Sequence, residues 1–214
     1  MSSFAKKPAS FKVFETDLDD QWTQHFSTQS CLAIDTEAMG LIHGRDRLCL
    51  VQICDEQDNV ACIKIQQHQT KANNLQSLME DSAIEKVFHY ARFDVAAISC
   101  NLNIAVNSIF CTKLASKIGR TYSPRHGLKE VILELVGIEL DKQAQSSDWG
   151  RVGELTEKQL EYATNDVRYL IQARNQLEKM LIREDRWELT KRCFECISVM
   201  SELDIRRFHN IFEH

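Results

Sequence analysis

A short apolar run that ends in acidic residues limits what this chain can fold into. Residues 31–34 are apolar, and Asp35, Thr36 and Glu37 follow them directly. The run predicts a buried strand, and because successive side chains of a strand point to opposite faces, Asp35 and Glu37 lie on the same face. Two carboxylates on one face repel each other unless a proton or a cation lies between them. The alternative is a strand that simply ends in solvent.

A second stretch, residues 161–170, has no Gly or Pro and carries apolar residues near helical spacing, so it predicts a helix. Tyr162 and Asp166 are four residues apart and therefore share one face of that helix. Thr156 and Gln159 form the pattern of a capping box, which predicts that the helix starts there and runs to about residue 181. Taken alone, Tyr162 and Asp166 are also compatible with an ordinary hydrogen-bonded surface pair.

The rest of the pattern predicts further strands and helices. Strands are predicted at 48–54, 60–65, 86–89 and 108–110, and a polar turn joins the first two as a hairpin. Helices are predicted at 13–28, 71–80, 92–101, 112–119 and 128–136, and helical periodicity after the capping box continues to about residue 203. Because three strands come first and helices then alternate with short strands, the predicted fold class is α/β, a mixed sheet with helices on both faces.

Asp94 lies in the first turn of a predicted helix. A carboxylate there is favoured by the helix dipole, which is the ordinary explanation for its presence. With Asp35, Glu37 and Asp166 it completes a set of hard oxygen donors, the ligand type that suits Mg²⁺ or Mn²⁺ rather than zinc. Two such ions can grip the attacking and the leaving oxygen of a phosphoryl displacement, with Tyr162 orienting the attacking water.

Composition narrows the class of protein. The length of 214 residues suits one domain, and no apolar run reaches the length of a membrane span or forms a signal peptide, which favours a cytoplasmic protein. Most of the eight cysteines lie in apolar runs, as buried free thiols do in a reducing compartment. The net charge of −5 argues against a long, nonspecific nucleic-acid groove, but not against a nucleic-acid enzyme whose acids hold metal ions.

Three short motifs, taken in order, resemble those of the DEDDy 3′→5′ exonucleases, and most closely the ribonuclease D branch. They are Asp35-Thr36-Glu37, His89-Tyr90-Ala91-Arg92-Phe93-Asp94 and Tyr162-Ala163-Thr164-Asn165-Asp166. Segments at 45–52, 111–115, 125–129 and 146–150 extend the likeness to the short, stand-alone NrnC-type relatives, which clear very short RNA oligonucleotides. The likeness covers roughly residues 30 to 214.

The resemblance implies a ribonuclease H-like exonuclease fold and a site for two divalent metal ions. It implies that Asp35, Glu37 and Asp166 hold one ion, which is Mg²⁺ or Mn²⁺. A second ion is expected to be bridged by Asp35 and supported, largely through water, by Asp94. Tyr162 is expected to position the nucleophilic water.

Substrate contacts are expected at the 3′-terminal nucleotide and at phosphates. The resemblance places the backbone around Met39 against the 3′-terminal nucleotide. The candidate substrate contacts are Met39, His89, Arg125, His126, Lys129 and Lys142. Arg125 and His126 lie in a basic loop and are the stronger candidates, although each basic residue is equally compatible with a solvated surface charge. Tyr90 departs from the Asn of many ribonuclease D relatives, which leaves the local substrate contacts open.

The resemblance also bears on domain organisation and assembly. Residues 1–28 are interpreted as a lead-in and helix, 29–182 as the exonuclease domain, and 183–214 as a helical tail packed on the domain or at an oligomer contact. Full-length ribonuclease D carries helical nucleic-acid-binding domains after the nuclease, for which this chain is too short. NrnC-type relatives assemble as rings, so by analogy a homo-oligomer is expected, with the apolar tail at 205–212 available for contacts.

A competing pattern occurs near the C-terminus. Cys193, Cys196, His209 and His214 match the spacing of a zinc finger. Met200 and Arg206 stand where the finger needs apolar core residues, and no hairpin turn follows the cysteines. The segment suits a packed helix better, so a zinc site is the less favoured interpretation.

The leading hypothesis is a metal-dependent 3′→5′ exoribonuclease that degrades short oligoribonucleotides, down to dinucleotides, to nucleoside 5′-monophosphates. A dinucleotide offers few phosphates and so needs few cations, in keeping with the acidic balance of the chain. The runner-up is a broader exonuclease that trims structured RNA or single-stranded DNA. From another class, a catalytically inactive nucleic-acid-binding adaptor is disfavoured, because a degenerate nuclease usually loses an acid and none is missing here.

Overall fold

The computed structural model describes residues 11–140, 148–208 and 210–211, and a single six-stranded sheet lies at its centre. The strands are β1 (Phe11–Phe14), β2 (Cys31–Ala38), β3 (Leu48–Cys54), β4 (Val60–Lys64), β5 (Glu85–Phe88) and β6 (Ile109–Cys111). Their order across the sheet is β1-β4-β3-β2-β5-β6. The pairs β2–β3 and β3–β4 are antiparallel, whereas the other neighbours are parallel. The predicted mixed sheet and its hairpin are confirmed.

The helices account for most of the remaining described chain. They are α1 (Asp20–Ser27), α2 (Asn73–Glu80), α3 (Ala91–Leu102), α4 (Thr112–Gly119), α5 (Leu128–Val136), α6 (Glu157–Arg168), α7 (Leu170–Arg183), α8 (Trp187–Glu195) and α9 (Ile197–Ile205), with a 3₁₀ turn at Val152–Glu154. The helices predicted at 112–119 and 128–136 are confirmed residue for residue, because their apolar spacing is regular. None of the described helices is long and apolar enough to cross a membrane.

Strand β3 shows how the sheet is covered. All seven of its residues are buried. A strand is buried along its whole length only when both faces of the sheet are covered, here by α3 on one side and α6 on the other. The prediction of helices on both faces is therefore confirmed.

Two element predictions are corrected by long-range contacts. The helix predicted to begin at residue 13 is preceded by β1, because Phe11–Phe14 pairs in parallel with β4 at the edge of the sheet. The single helix predicted from the capping box to about residue 181 is two helices, which meet at Tyr169 with φ −109° and ψ 0°. The break lets α6 pack on β2, β3 and β4 while α7 packs on α4 and α5.

The C-terminal helices pack on elements that precede them. α9 lies along α3, where Arg92 donates to both carboxylate oxygens of Asp204 at 2.5 and 2.6 Å and Ser201 donates to the Arg92 carbonyl at 2.9 Å. α8 packs on β6 through Phe194, whose ring centroid lies 4.7 Å from that of Phe110. The division of the chain at residues 28 and 182 stays a prediction.

All eight cysteines are free thiols, as the sequence predicts. Cys193 lies in α8 and Cys196 at its C-terminal cap, so the two cysteines belong to helical structure rather than to a hairpin. His209 and His214 lie outside the described residues, so the zinc pattern is untested.

Candidate active site

The acids of the first and third motifs come together at one face of the sheet. Asp35 and Glu37 are on β2 and Asp166 is on α6, and one carboxylate oxygen from each lies within 4.8 Å of the other two. The register of β2 puts Asp35 opposite Gln52 and Glu37 opposite Leu50, so these side chains share the face that α6 covers. The predicted convergence of these acids is what the structure shows.

The start and the packing of helix α6 bring Tyr162 and Asp166 to this face. Thr156 accepts from the Gln159 backbone, and the Gln159 side chain accepts from the Thr156 backbone, which completes the predicted capping box. Ala163 is fully buried against the sheet. Tyr162 and Asp166, one helical turn apart, then lie beside each other at the acidic group.

Asp94 is held from the opposite side of the same strand. It lies in the first turn of α3 and is only 3% exposed. The Thr36 hydroxyl donates a 2.7 Å hydrogen bond to Asp94 Oδ1. Because Thr36 lies between Asp35 and Glu37 in β2, this bond ties α3 to the strand that carries the other acids. The alternative of a carboxylate that serves only the helix dipole does not account for this buried contact.

Burial and mutual repulsion shift the titration of these acids strongly. The pKa of Asp35 is raised well above its ordinary value, by burial first and then by the charges of Asp94, Asp166 and Glu37. Burial and the charges of Asp166 and Asp94 raise the pKa of Glu37 to about 8. Burial raises the pKa of Asp94 to about 7, and the hydrogen bond from Thr36 opposes this.

The pKa values of Asp166 and Tyr162 are both raised, by burial first. Burial raises the pKa of Asp166 to about 7, an effect that hydrogen bonding from the Tyr162 phenol opposes. Burial, followed by the charges of Asp166 and Glu37, raises the pKa of Tyr162, which therefore stays a neutral phenol near neutral pH.

The donor set fits a divalent cation. Among the described residues no Lys or Arg forms an ion pair with Asp35, Glu37, Asp94 or Asp166, so the cluster lacks a compensating positive charge of its own. The close group contains carboxylate oxygens and neither His nor Cys. Hard oxygen ligands of this kind suit Mg²⁺ or Mn²⁺.

The candidate substrate contacts lie in different environments. Met39, in the loop after β2, is 58% exposed, and its amide donates to the Arg47 carbonyl at 3.0 Å. Arg125 is exposed and forms no ion pair with a described acid. His126 Nδ1 lies 2.9 Å from the Ser116 hydroxyl. Lys129 is 3.8 Å from Glu139, and Lys142 lies outside the described residues.

His89 is placed differently from the other candidates. Its Nδ1 lies 2.9 Å from the Thr112 hydroxyl, and its Nε2 is buried without a hydrogen-bond partner among the described residues. Burial and the nearby Lys113 charge lower the pKa of His89 to about 3, so the ring is neutral at physiological pH. His89 is therefore disfavoured as a cation that binds a substrate phosphate.

Two features of this region were not predicted. Tyr90 has a left-handed backbone, with φ 76°, directly before α3, and the Lys113 ammonium lies 4.2 Å from the centre of its ring. The Thr36 bond to Asp94 was missed as well. A hydroxyl between two acids in a strand is the only sequence signal for it, and pairing it with Asp94 requires knowing where α3 packs.

The comparisons with known proteins place the chain in a family. A sequence model described as a 3′-5′ exonuclease matches residues 12–182. The chain belongs to the 3′-5′ exonuclease family. Members of this family need divalent metal ions, and the acidic group provides ligands of the type that such ions prefer.

Solved structures of similar exonucleases match nearly the whole chain. Brucella melitensis NrnC with bound Mg²⁺ is 39% identical, with a TM-score of 0.89 over 96% of this chain and 99% of that chain. The same protein bound to pGG is 40% identical, with a TM-score of 0.90 over 96% of this chain and 98% of that one. Escherichia coli RNase D, at 20% identity and a TM-score of 0.76 over 92% of this chain and 51% of that one, shares the fold.

Curated relatives are longer than this chain. Ribonuclease D of Sphingobium indicum is 30% identical over 179 residues, which make up 83% of this chain and 45% of the relative. DNA polymerase I of Aquifex aeolicus is 35% identical over 64% of this chain and 21% of that protein. The exonuclease fold and the resemblance to ribonuclease D and NrnC-type proteins, predicted from the three motifs and the segments between them, are confirmed.

Proposed function

We propose that this protein is a metal-dependent 3′→5′ exoribonuclease that hydrolyses short oligoribonucleotides, down to dinucleotides, to nucleoside 5′-monophosphates. The observation that carries the proposal is the all-oxygen group of Asp35, Glu37 and Asp166, whose oxygens lie within 4.8 Å of one another. Asp94 stands on the other side of the same strand, bonded to Thr36. In this proposal these four acids would hold two divalent ions, Mg²⁺ or Mn²⁺.

The chain's own residues have separable tasks in this reaction. Asp35, Glu37 and Asp166 would hold one ion, and Asp35 and Asp94 would help to hold the second. When bound, the divalent ions make water a better nucleophile near neutral pH and stabilise the charge that develops on the leaving oxygen. Tyr162 stays protonated and orients the attacking water, which forms a new P–O bond as the bond to the 3′ oxygen breaks. The attacking water gives up one proton as it forms this bond, and the leaving 3′ oxygen takes up one, so the reaction consumes one water.

Short substrates are favoured by the charge of the chain and by a relative. The net charge is −5, and NrnC of Brucella melitensis, which is similar over its whole length, has been solved with pGG bound. A long nucleic acid needs an extended basic surface, whereas a dinucleotide needs one or two cations. In this proposal Arg125 supplies a cation and His126 a hydrogen-bond donor, both from the loop between α4 and α5.

The test uses 5′-labelled RNAs of two, seven and about twenty nucleotides, with a matched DNA set. Initial rates are measured with Mn²⁺, with Mg²⁺ and with EDTA. We expect metal-dependent release of nucleoside 5′-monophosphates, with the dinucleotide consumed fastest and EDTA abolishing the reaction. Asp166→Asn provides a matched inactive control. Rates that rise with length, or equal use of DNA, would instead identify a broader trimming exonuclease, and no cleavage of any strand would leave only nucleic-acid binding.

The assembly and location of the protein are further parts of the proposal. We propose a homo-oligomer, in keeping with the exposed apolar side chains of Phe208 and Ile211 after α9. Light scattering after size-exclusion chromatography measures its mass directly. A monomer at micromolar concentration would contradict this proposal. A ring requires a single species whose mass is a whole-number multiple of the mass of one chain. We also propose that the protein is cytoplasmic, which cell fractionation tests.

A further inference from the structure

Gln52 lies in the middle of the sheet, next to the candidate metal centre. It belongs to β3, and its paired neighbours are Asp35 on β2 and Cys62 on β4. Residues that are directly opposite in an antiparallel pair point to the same face with closely spaced Cβ atoms. The Gln52 side chain therefore lies on the face that carries Asp35 and Glu37, under helix α6.

The amide of Gln52 is buried without a partner among the described residues. The residue has no exposed surface, and neither Nε2 nor Oε1 has a hydrogen-bond partner there. A primary amide offers two donors and an acceptor with two lone pairs, and leaving them unpaired in the interior is unfavourable. Native proteins rarely keep such a group, so each instance requires a physical explanation.

Apolar and thiol side chains pack under α6 on this side of the sheet. The cluster under α6 consists of Cys49, Leu50, Cys62, Trp149, Val152, Leu160 and Ala163, with Tyr162 at its edge. Within the described chain Asp35 is the strong acceptor directly opposite Gln52, and no described side chain donates a hydrogen bond to it. The Gln52 amide, which has no acceptor, therefore lies on the strand opposite the Asp35 carboxylate, which has no side-chain donor.

We propose that Gln52 is a positioning residue for the metal centre, with its amide N–H donating to the Asp35 carboxylate when divalent ions are bound. This inference rests on the proposed function. A carboxylate that binds a metal with one oxygen needs its other oxygen held, and outer-shell donors of this kind orient the ligand and raise metal affinity. The backbone register already puts the two residues directly opposite each other on paired strands.

The test replaces the amide while keeping the length of the side chain. Gln52→Met removes both polar atoms, and Mn²⁺ binding to the metal-free protein is measured by calorimetry. We expect Mn²⁺ to bind about 10- to 100-fold more weakly. In EDTA the thermal midpoint is expected to be equal or higher, because an unpaired buried amide has been removed. Leu50→Met, on the same strand and opposite Glu37, is the matched control and is expected to leave the Mn²⁺ affinity within about twofold.

The outcomes separate this inference from the proposed function. Wild-type affinity in Gln52→Met would overturn the role of Gln52, whatever happens to stability. If wild-type protein binds no Mn²⁺, or Asp166→Asn binds it equally well, the metal site of the proposed function fails instead. Should Gln52→Met not fold, a crystal structure of the wild-type protein with Mg²⁺ decides. A Gln52 amide nitrogen within about 3.2 Å of an Asp35 oxygen supports the role, and no contact between them overturns it.

Discussion

At the scale of single residues, Asp94 is the acid whose position depends most on another side chain. It stands apart from the close group of three carboxylates and is oriented by the Thr36 hydroxyl at 2.7 Å. The strand therefore serves both sides of the site, since Asp35 and Glu37 point to one face and Thr36 to the other. An acid held in this way is expected to act through the second ion.

Removing Asp94 tests that role. We expect Asp94→Ala to abolish cleavage, with a loss of about 100-fold or more in the initial rate, while the circular dichroism spectrum and the thermal midpoint in EDTA stay close to wild type. Thr36→Val keeps the shape of the threonine and removes its hydroxyl, so it is expected to lose about tenfold. Full activity in Asp94→Ala would show that the metal site is assigned wrongly.

Tyr162 is expected to affect the rate more than binding. Tyr162→Phe keeps the ring and removes the hydroxyl that orients the water, so we expect kcat to fall about 10- to 100-fold with KM nearly unchanged. Steady-state kinetics on a dinucleotide measure both constants. Tyr169→Phe, two turns farther along at the junction of α6 and α7, is the control. An unchanged kcat in Tyr162→Phe would remove this phenol from the mechanism.

At the scale of elements, the basic loop between α4 and α5 is anchored by a buried arginine. Arg120 donates to the Ser116 hydroxyl at 2.9 Å and to the Arg125 carbonyl at 2.7 Å, and it forms an ion pair with Glu134. The anchor fixes the backbone of the loop while the Arg125 side chain stays exposed. Because the backbone of the loop is already fixed, the Arg125 charge can bind a phosphate without the cost of first ordering the loop.

Arg125 is expected to contribute to substrate affinity alone. Arg125→Gln removes a phosphate-binding charge, so we predict an approximately tenfold rise in KM with kcat unchanged, and a weaker dependence of KM on salt. Lys71→Gln, an exposed lysine in the loop before α2, controls for net charge. Equal changes in the two variants would indicate a nonspecific charge effect and argue against a contact at Arg125.

The docking of α9 on α3 links the C-terminal helices to the site. The bidentate pair of Arg92 and Asp204 is partly buried, so we expect Asp204→Asn to lower the free energy of unfolding by about 1–2 kcal/mol in urea denaturation. Glu202→Gln breaks the exposed pair with Arg206 on the same helix and is expected to cost less than about 0.5 kcal/mol. Equally small losses in both variants would mean that the pair does not fasten α9.

At the scale of the whole molecule, the acidic group is expected to make the largest contribution to how stability depends on pH. Folding raises the pKa values of Glu37 to about 8 and of Asp94 and Asp166 to about 7, and that of Asp35 also rises. The folded protein therefore holds protons that the unfolded chain has already released. Stability from these groups is complete below the ordinary carboxyl pKa near 4 and is lost as the pH rises through about 7 to 8.

We therefore predict that in EDTA the thermal midpoint falls between pH 5.5 and pH 8.5. Mg²⁺ is expected to reduce the fall, because a bound cation replaces the protons that relieve the repulsion. Asp166→Asn removes one of the repelling charges and is expected to show a smaller fall in EDTA. Thermal unfolding at the two pH values measures each effect. If wild type and Asp166→Asn fall by the same amount in EDTA, the acids do not govern this dependence.

Local patterns determined much of this protein from sequence alone. Some features depend only on residues that are near one another in the chain and can be recognised without a structure. They are the apolar run before Asp35, the Thr156–Gln159 capping box and the regular spacing of α4 and α5. The three motifs identified the family for the same reason, since each is a short contiguous string. The candidate metal-binding acids could therefore be identified before their positions were known.

The tertiary structure decided what depends on residues far apart in the chain. Pairing with β4 makes a strand of Phe11–Phe14, and packing on different partners breaks the long helix at Tyr169. The bond from Thr36 to Asp94 and the position of Gln52 opposite Asp35 follow from where α3 packs and from strand register. Periodicity records which face a side chain occupies, but only the assembled sheet determines what lies across from it.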